Sequence, residues 1–154
     1  MEIERKFIPA RLPENLEQYK FKKIAQAYLC TSPVVRIRRS NDDYYLTYKS
    51  GGLMARQEVE VPLTKAAFYH MLPKADGRII SKTRYLIPLE GGLTAELDIF
   101  DGDLEGIRLV EVEFESEEQA LAYQAPEWFG KDVTMDGRYH NSYMCMAEDL
   151  SDLF

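Results

Sequence analysis

Glu2, Glu4 and Lys6 occupy every second position of MEIERKF, with Ile3 and Phe7 falling between them. The same interleaving of ionisable and apolar residues returns in VRIRR (Arg36, Arg38), RQEVEV (Arg56, Glu58, Glu60), KTRY (Lys82, Arg84), AELDIF (Glu96, Asp98) and VEVEF (Glu111, Glu113), and YYLTYK adds Tyr45, Thr47 and Lys49. Two glutamates at i and i+2 of a strand lie about 7 Å apart on one face, close enough to aim both carboxylates at one hard cation. Magnesium or manganese suits such oxygen donors and completes its shell with water and substrate phosphate. The arginines offer planar forks matched to phosphate oxygens, and the lysines offer point charges. Phosphoryl transfer needs alignment, a metal and positive charge where negative charge accumulates, and these residue types supply all three.

A period of two is the signature of strands, so the elements that position these groups are β. Turn-forming residues divide the chain into eight predicted strands at 2–8, 24–30, 34–39, 43–49, 55–61, 79–87, 94–100 and 107–114. The connections CTSPV, SNDD, SGGLM, PLEGGL and DGDLEG read as hairpins, which makes most neighbours antiparallel. Helices are expected in PENLEQY, in LTKAAFYHML with Thr64 as cap, in SEEQALAY with Ser116 as cap, and in the C-terminal GRYHNSYMCMAEDL.

Two architectures satisfy this pattern. One is an open sheet backed by helices, with its charged face in water, and for any single pair such as Glu58 and Glu60 that is the ordinary reading. The other is an α+β fold in which eight antiparallel strands close into a barrel, a tunnel with charges inside and helices packed outside. The charged face carries almost no Ser, Asn or Gln and is rich in Arg, and eight strands suffice to remove both edges. Closure would gather the eight carboxylates and seven cations named above around one cavity. Burying them is unfavourable unless they pair, hold metal or bind a charged ligand, so the closed reading implies a site.

Composition narrows the function further. At 154 residues one domain, 1–154, is expected, burying roughly 70% of the surface its unfolded chain exposes. The net charge of −7 argues against a general nucleic-acid binder. No apolar run reaches the roughly 18 residues of a membrane helix, and Cys30 and Cys145 are too few for a disulfide framework, so a cytoplasmic protein without membrane partners is expected. There is no GxxxxGK[ST] phosphate loop. Asp98, Asp101 and Asp103 of DIFDGD lack EF-hand spacing and fit a strand end and turn. His70 and His140 lack the spacing of a metal pair or triad and read as structural or exposed.

EIERK resembles the ExExK signature of the CYTH domain, or triphosphate tunnel metalloenzyme, family. QAYL, VRIRR, YLTYKS, RQEVEV, KTRY, AELDIF, LVEVEF and WFGKDVTMDGRYHN resemble that family's successive blocks in order, over nearly the whole chain. Ala27 of QAYL stands where the family often has glycine, and Lys131 of GKDVT where it has an acidic or varied residue. The resemblance implies an eight-stranded tunnel that binds a triphosphate through basic residues and Mg2+ or Mn2+. It implies Glu2, Glu4, Glu111 and Glu113 as metal ligands, with Glu58, Glu60 and Asp98 as further acidic lining that holds a second metal or orients water. Lys6, Arg36, Arg38, Lys49, Arg56, Lys82 and Arg84 correspond to phosphate contacts, Tyr28 to a residue that places substrate or water, and Lys82 also to a general base. A metal-bound hydroxide is the rival to Lys82 as source of the nucleophile. The expected reaction is metal-dependent hydrolysis of a small-molecule triphosphate, with inorganic tripolyphosphate first among substrates. The alternatives are an adenylate cyclase, a thiamine or nucleoside triphosphatase on the same scaffold, and a noncatalytic polyphosphate-binding module. Oligomeric state is not legible in the chain.

Overall fold

Strands make up about half of residues 1–154, every one of which the computed structural model describes. The strands are β1 (Glu2–Pro9), β2 (Lys20–Thr31), β3 (Val34–Ser40), β4 (Asp43–Lys49), β5 (Ala55–Arg56), β6 (Glu58–Pro62), β7 (Asp76–Pro88), β8 (Thr94–Asp101), β9 (Arg108–Phe114) and β10 (Phe129–Asp132). They form one antiparallel sheet in the order β10-β1-β9-β8-β7-β2-β3-β4-β6. A single segment brings the two sides together. Its first part, β5, pairs with β1 through Glu2 and Arg56, and its second part, β6, pairs with β4 through Lys49 and Glu58. The sheet thereby curls into a nearly closed barrel, the tunnel expected from the sequence.

The strand count is ten rather than eight for two physical reasons. The predicted strand 55–61 breaks at Gln57, where the chain leaves one neighbour for the other. β10 was missed because FGKD buries only Phe129 and exposes the next three residues, so it shows no alternation. Gly130 explains its close seating: a Cβ there would lie 2.5 Å from the Ile8 carbonyl oxygen of β1.

Three short helices lie outside. In α1 (Lys65–Met71) Thr64 accepts the Ala67 N–H, and in α2 (Glu117–Ala122) Ser116 accepts the Gln119 N–H, the two caps read from sequence. α1 drops Phe68 onto Ala27, Ile37 and Tyr44. α2 lies over β1 and β9, where Ala120 joins Ile3, Phe7, Val112 and Phe114. α3 (Asn141–Met146) follows a short 3-10 turn at Gly137–Tyr139 and packs Met144 and Cys145 with Tyr28, Ile80, Phe100 and Leu109. Gly77 of β7 permits this approach, since any Cβ there would collide with the Cys145 carbonyl. The expected helix at PENLEQY is only a 3-10 turn, Leu16–Gln18, entered through Asn15 in the left-handed region. Helices this short do not cover the whole outer face, and Tyr48, Val59 and Val61 on β4 and β6 remain exposed. No helix is long and apolar enough to cross a membrane.

Candidate active site

Inside the barrel lies a cavity of about 180 Å³, bounded by 19 residues of which only two, Tyr28 and Val34, are hydrophobic. Every carboxylate and cation assigned above to the charged face lines it, with the exception of Asp98. Strand register explains the convergence. Going round the wall, Tyr28 opposes Arg36, Arg36 opposes Thr47, and Thr47 opposes Glu60; Arg56 opposes Glu2, Glu4 opposes Glu113, and Glu111 opposes both Lys6 and Glu96.

Charge is unevenly distributed around that wall. Lys49 pairs with Glu2 at 2.8 Å and Glu58 at 3.4 Å, Lys6 with Glu111 at 3.5 Å, and Arg84 with Glu96 at 3.1 Å. Three cavity cations, Arg36, Arg38 and Arg56, have no carboxylate partner, and three carboxylates, Glu4, Glu60 and Glu113, have no cation. Arg36 donates through Nη2 to Thr47 Oγ1 at 3.1 Å, while its Nε is buried without any acceptor. Arg38 donates through Nε and Nη2 to Gln26 Oε1 at 2.8 and 2.6 Å. Burial together with Arg36 and Arg84 lowers the Arg38 pKa to about 9. None of these three arginines is neutralised by a carboxylate of the wall.

The unpaired glutamates lie among other carboxylates. Like charges directly opposed across strands repel, and β1, β9 and β8 present two such pairs, Glu4 with Glu113 and Glu111 with Glu96. Burial, then Glu111 and Glu2, raises the Glu4 pKa well above the usual carboxylate range. Burial also raises Glu2, which is hydrogen-bonded to Glu58, and raises Glu113, with help from Glu2 and Glu96. Burial opposes ionisation of Glu111 as well, but Lys6, Arg84 and Lys82 outweigh it and hold Glu111 well below the usual range. No three of these side chains meet at one point. Opposed pairs of carboxylates are the donor set of a cation such as magnesium, which takes one or two carboxylates and fills the remaining positions with water and substrate phosphate. The residues present fit a divalent metal.

Asp98 is fully buried behind the wall. Arg84 grips it bidentately at 2.8 and 2.9 Å, and Lys82 Nζ lies 2.7 Å from its Oδ2. Burial would raise the Asp98 pKa, but Arg84 and Lys82 hold it down. For Lys82, 1% exposed, burial and the nearby Arg84 and Arg38 outweigh Asp98 and lower the pKa to about 7.

Four residues in or beside the site, His140, Asn141, Ser142 and Gln26, are not assigned to it by the sequence. The sequence suggests a structural or exposed His140, yet it lines the cavity beside Asn141 and Ser142 at the start of α3, which packs on β7 and β2. Burial, with Lys6 and Arg56, lowers the His140 pKa to about 4, so the ring is neutral at pH 7. Gln26, completely buried, donates through Nε2 to Tyr28 Oη at 3.1 Å and to Asn141 Oδ1 at 3.0 Å. A polar residue at an inward position of a strand was the available signal for Gln26. No local pattern marked residues 140–142.

The CYTH domain profile matches residues 1–140. The chain belongs to the CYTH domain family. Within that family it is 40% identical over 149 residues to an inorganic triphosphatase of Nitrosomonas europaea, covering 95% of this chain and 97% of the relative. It is 33% identical over 147 residues to an inorganic triphosphatase of Acetivibrio thermocellus, covering 92% and 90%. A crystal structure of an inorganic triphosphatase superposes with a TM-score of 0.71 at 38% identity, covering 96% of this chain and 95% of that one. A more distant Hippeastrum protein, described as an adenylyl cyclase with a dominant triphosphatase activity, shares the CYTH fold at a TM-score of 0.58 and 17% identity, over 79% and 83% of the two chains.

Proposed function

We propose that this chain, acting as one unit over residues 1–154, is a divalent-metal-dependent triphosphatase that hydrolyses inorganic tripolyphosphate to pyrophosphate and phosphate. The observation that carries the reading is that one cavity gathers three arginines without a carboxylate partner, Arg36, Arg38 and Arg56, and three glutamates without a cationic partner, Glu4, Glu60 and Glu113. A polyanion with a bound metal answers both deficits at once, and the 40% identical relative is an inorganic triphosphatase.

In this reading Arg36, Arg38 and Arg56, supported by Lys6, Lys49, Lys82 and Arg84, take the phosphate oxygens. Glu2, Glu4, Glu111 and Glu113, with Glu58 and Glu60, hold Mg2+ or Mn2+, which supplies Lewis acidity and neutralises charge on the triphosphate. Asp98, grouped with the metal ligands on sequence grounds, anchors Lys82 and Arg84. Water attacks the terminal phosphorus, its oxygen forms the new P–O bond, and the bond to the bridging oxygen breaks, so that pyrophosphate leaves with the electron pair. Lys82 Nζ receives the proton from water, a role suited to an amine whose pKa is about 7. Tyr28, whose Oη already accepts from Gln26, places that water with its own O–H.

The cavity favours an inorganic chain over a nucleotide. Its volume of about 180 Å³ lies below the roughly 300–1,000 Å³ of sites that enclose larger organic ligands, and Tyr28 and Val34 make no apolar platform for an adenine ring. The setting is the cytoplasm, with no nucleic-acid or membrane partner. To test the reading, purified protein is incubated with tripolyphosphate, ATP or thiamine triphosphate and with Mg2+ or Mn2+, and phosphate, pyrophosphate and cyclic AMP are measured. Phosphate and pyrophosphate from tripolyphosphate are expected; preferential formation of cyclic AMP, or binding without turnover, would overturn the proposal.

A further inference from the structure

We propose that Asn141, at the start of α3, is a positioning residue that holds Lys82 Nζ in place for the reaction. The inference rests on the triphosphatase reading and adds to it a residue outside the strands. Lys82 Nζ donates to Asn141 Oδ1 at 3.0 Å and lies 2.7 Å from Asp98 Oδ2. A neutral lysine amine has two N–H groups and one lone pair on a flexible four-carbon stem. Two acceptors from different elements, β8 and α3, take the two N–H groups and leave the lone pair for the cavity that Lys82 lines.

Why an asparagine oxygen faces Lys82 follows from the donor inventory. The Arg38 guanidinium can only donate, and it places Nε and Nη2 on Gln26 Oε1. Gln26 must then direct its NH2 group the other way, where Asn141 Oδ1 and Tyr28 Oη accept from Nε2. Asn141 in turn must present its oxygen rather than its NH2 group, and the same oxygen reaches Lys82. Arg38 thus sets the orientation of two successive amides, and the chain ends at Lys82. Lys6 Nζ donates to the Tyr139 carbonyl at 3.0 Å, which ties the segment just before Asn141 to the cavity wall. Both hydrogen bonds to Asn141 Oδ1 come from side chains in or behind the cavity and none from the backbone, which is unlike a residue that merely caps the barrel.

The test combines kinetics on tripolyphosphate with a structural readout of Lys82. Asn141→Ala is expected to lower kcat by about 10–100-fold, the range seen when a supporting hydrogen-bond partner is removed, with KM changed less than about threefold. In the Lys82→Ala background the same substitution is expected to cost less than about twofold, because residues acting as a unit are not additive. An unchanged kcat, a loss confined to KM, or an undiminished loss in the Lys82→Ala background would each overturn the proposal. Isotope-labelled lysine NMR, with the Lys82 signal identified by its absence in Lys82→Ala, reads the position without turnover. That signal is expected to shift and average in Asn141→Ala and to stay distinct in isosteric Asn141→Asp, which keeps the acceptor and serves if the alanine variant does not fold. A Lys82 signal identical in wild type and Asn141→Ala, or averaged alike in wild type and Asn141→Asp, counts against positioning. Absence of wild-type turnover would sink the triphosphatase reading alone, with the NMR comparison still deciding the role of Asn141.

Discussion

Glu4 of β1 and Glu113 of β9 are directly opposed across the strand pair, and neither carboxylate has a cationic partner. Both have pKa values raised by burial and by neighbouring glutamates, so each holds its proton to higher pH than an ordinary carboxylate, and a bound divalent cation would favour its release. Adding Mg2+ or Mn2+ in weak buffer near pH 6 should therefore acidify the solution and raise Tm, as read with an indicator dye and by thermal unfolding. Glu4→Gln removes the most strongly shifted group of the set and should lose most of the proton release. Turnover should fall about 100-fold or more, corresponding to a loss of several kcal/mol of metal-assisted stabilisation. Unimpaired turnover in Glu4→Gln would remove Glu4 from the metal site.

Arg36 is a buried cation whose side chain hydrogen-bonds only to the neutral hydroxyl of Thr47. With Nε unsatisfied and no carboxylate beside it, its charge weakens the unliganded fold. Arg36→Met should raise the ligand-free Tm by a few degrees, equivalent to about 1 kcal/mol, while raising KM for tripolyphosphate at least about tenfold. A lower Tm together with unchanged KM would show that Thr47 alone is the purpose of that side chain.

Lys82 links activity to pH. As a proton acceptor it must be neutral, and its pKa of about 7 predicts that kcat/KM rises with pH through about 7 and then levels. Bound triphosphate favours the charged amine, so the corresponding limb of kcat should lie at higher pH. Stability has its own sign. The folded pKa lies below the ordinary 10.5, so between about 7 and 10.5 the unfolded chain binds the additional proton and stability from this group increases with pH. Denaturant titrations of Lys82→Met against wild type should lose that slope, and a Lys82→Met variant that keeps the acid limb of kcat/KM would reassign it to another group.

Arg5 belongs to the same opening motif but faces outward. It donates to the carbonyls of Ala120 and Tyr123 at the end of α2 at 3.0 and 2.9 Å and to Asp132 of β10 at 2.9 Å. It therefore clamps a helix and an edge strand onto β1. Arg5→Ala should cost about 1–3 kcal/mol in denaturant unfolding, the range for hydrogen bonds to a charged group, while leaving kcat of the folded fraction intact. A comparable loss of kcat would mean that the outer clamp also shapes the cavity.

The inward face of each long strand was legible because alternation is local: Glu2, Glu4 and Lys6 share a face whatever the rest of the chain does. The two helix caps, Thr64 and Ser116, were legible for the same reason. Where the signal was short it failed, as at β10, where one buried phenylalanine among four residues carries no period. It also failed at α3, whose helical pattern could not say that its first residues would line the cavity.

By itself, then, the amino-acid order determined which side chains share a face and hence that carboxylates, arginines and lysines would line one surface. Tertiary structure decided which of them meet. Closure through residues 55–62 set Arg56 against Glu2, register left Arg36 and Glu4 without partners, and Asp98 was drawn behind Lys82 and Arg84 instead of into the cavity. Asn141, nearly sixty positions from Lys82, reaches it only because α3 docks on β7. The reason is physical: the direction of a side chain along a strand follows from its own backbone, whereas an ion pair or hydrogen bond between distant segments exists only after the sheet has curled and chosen its register.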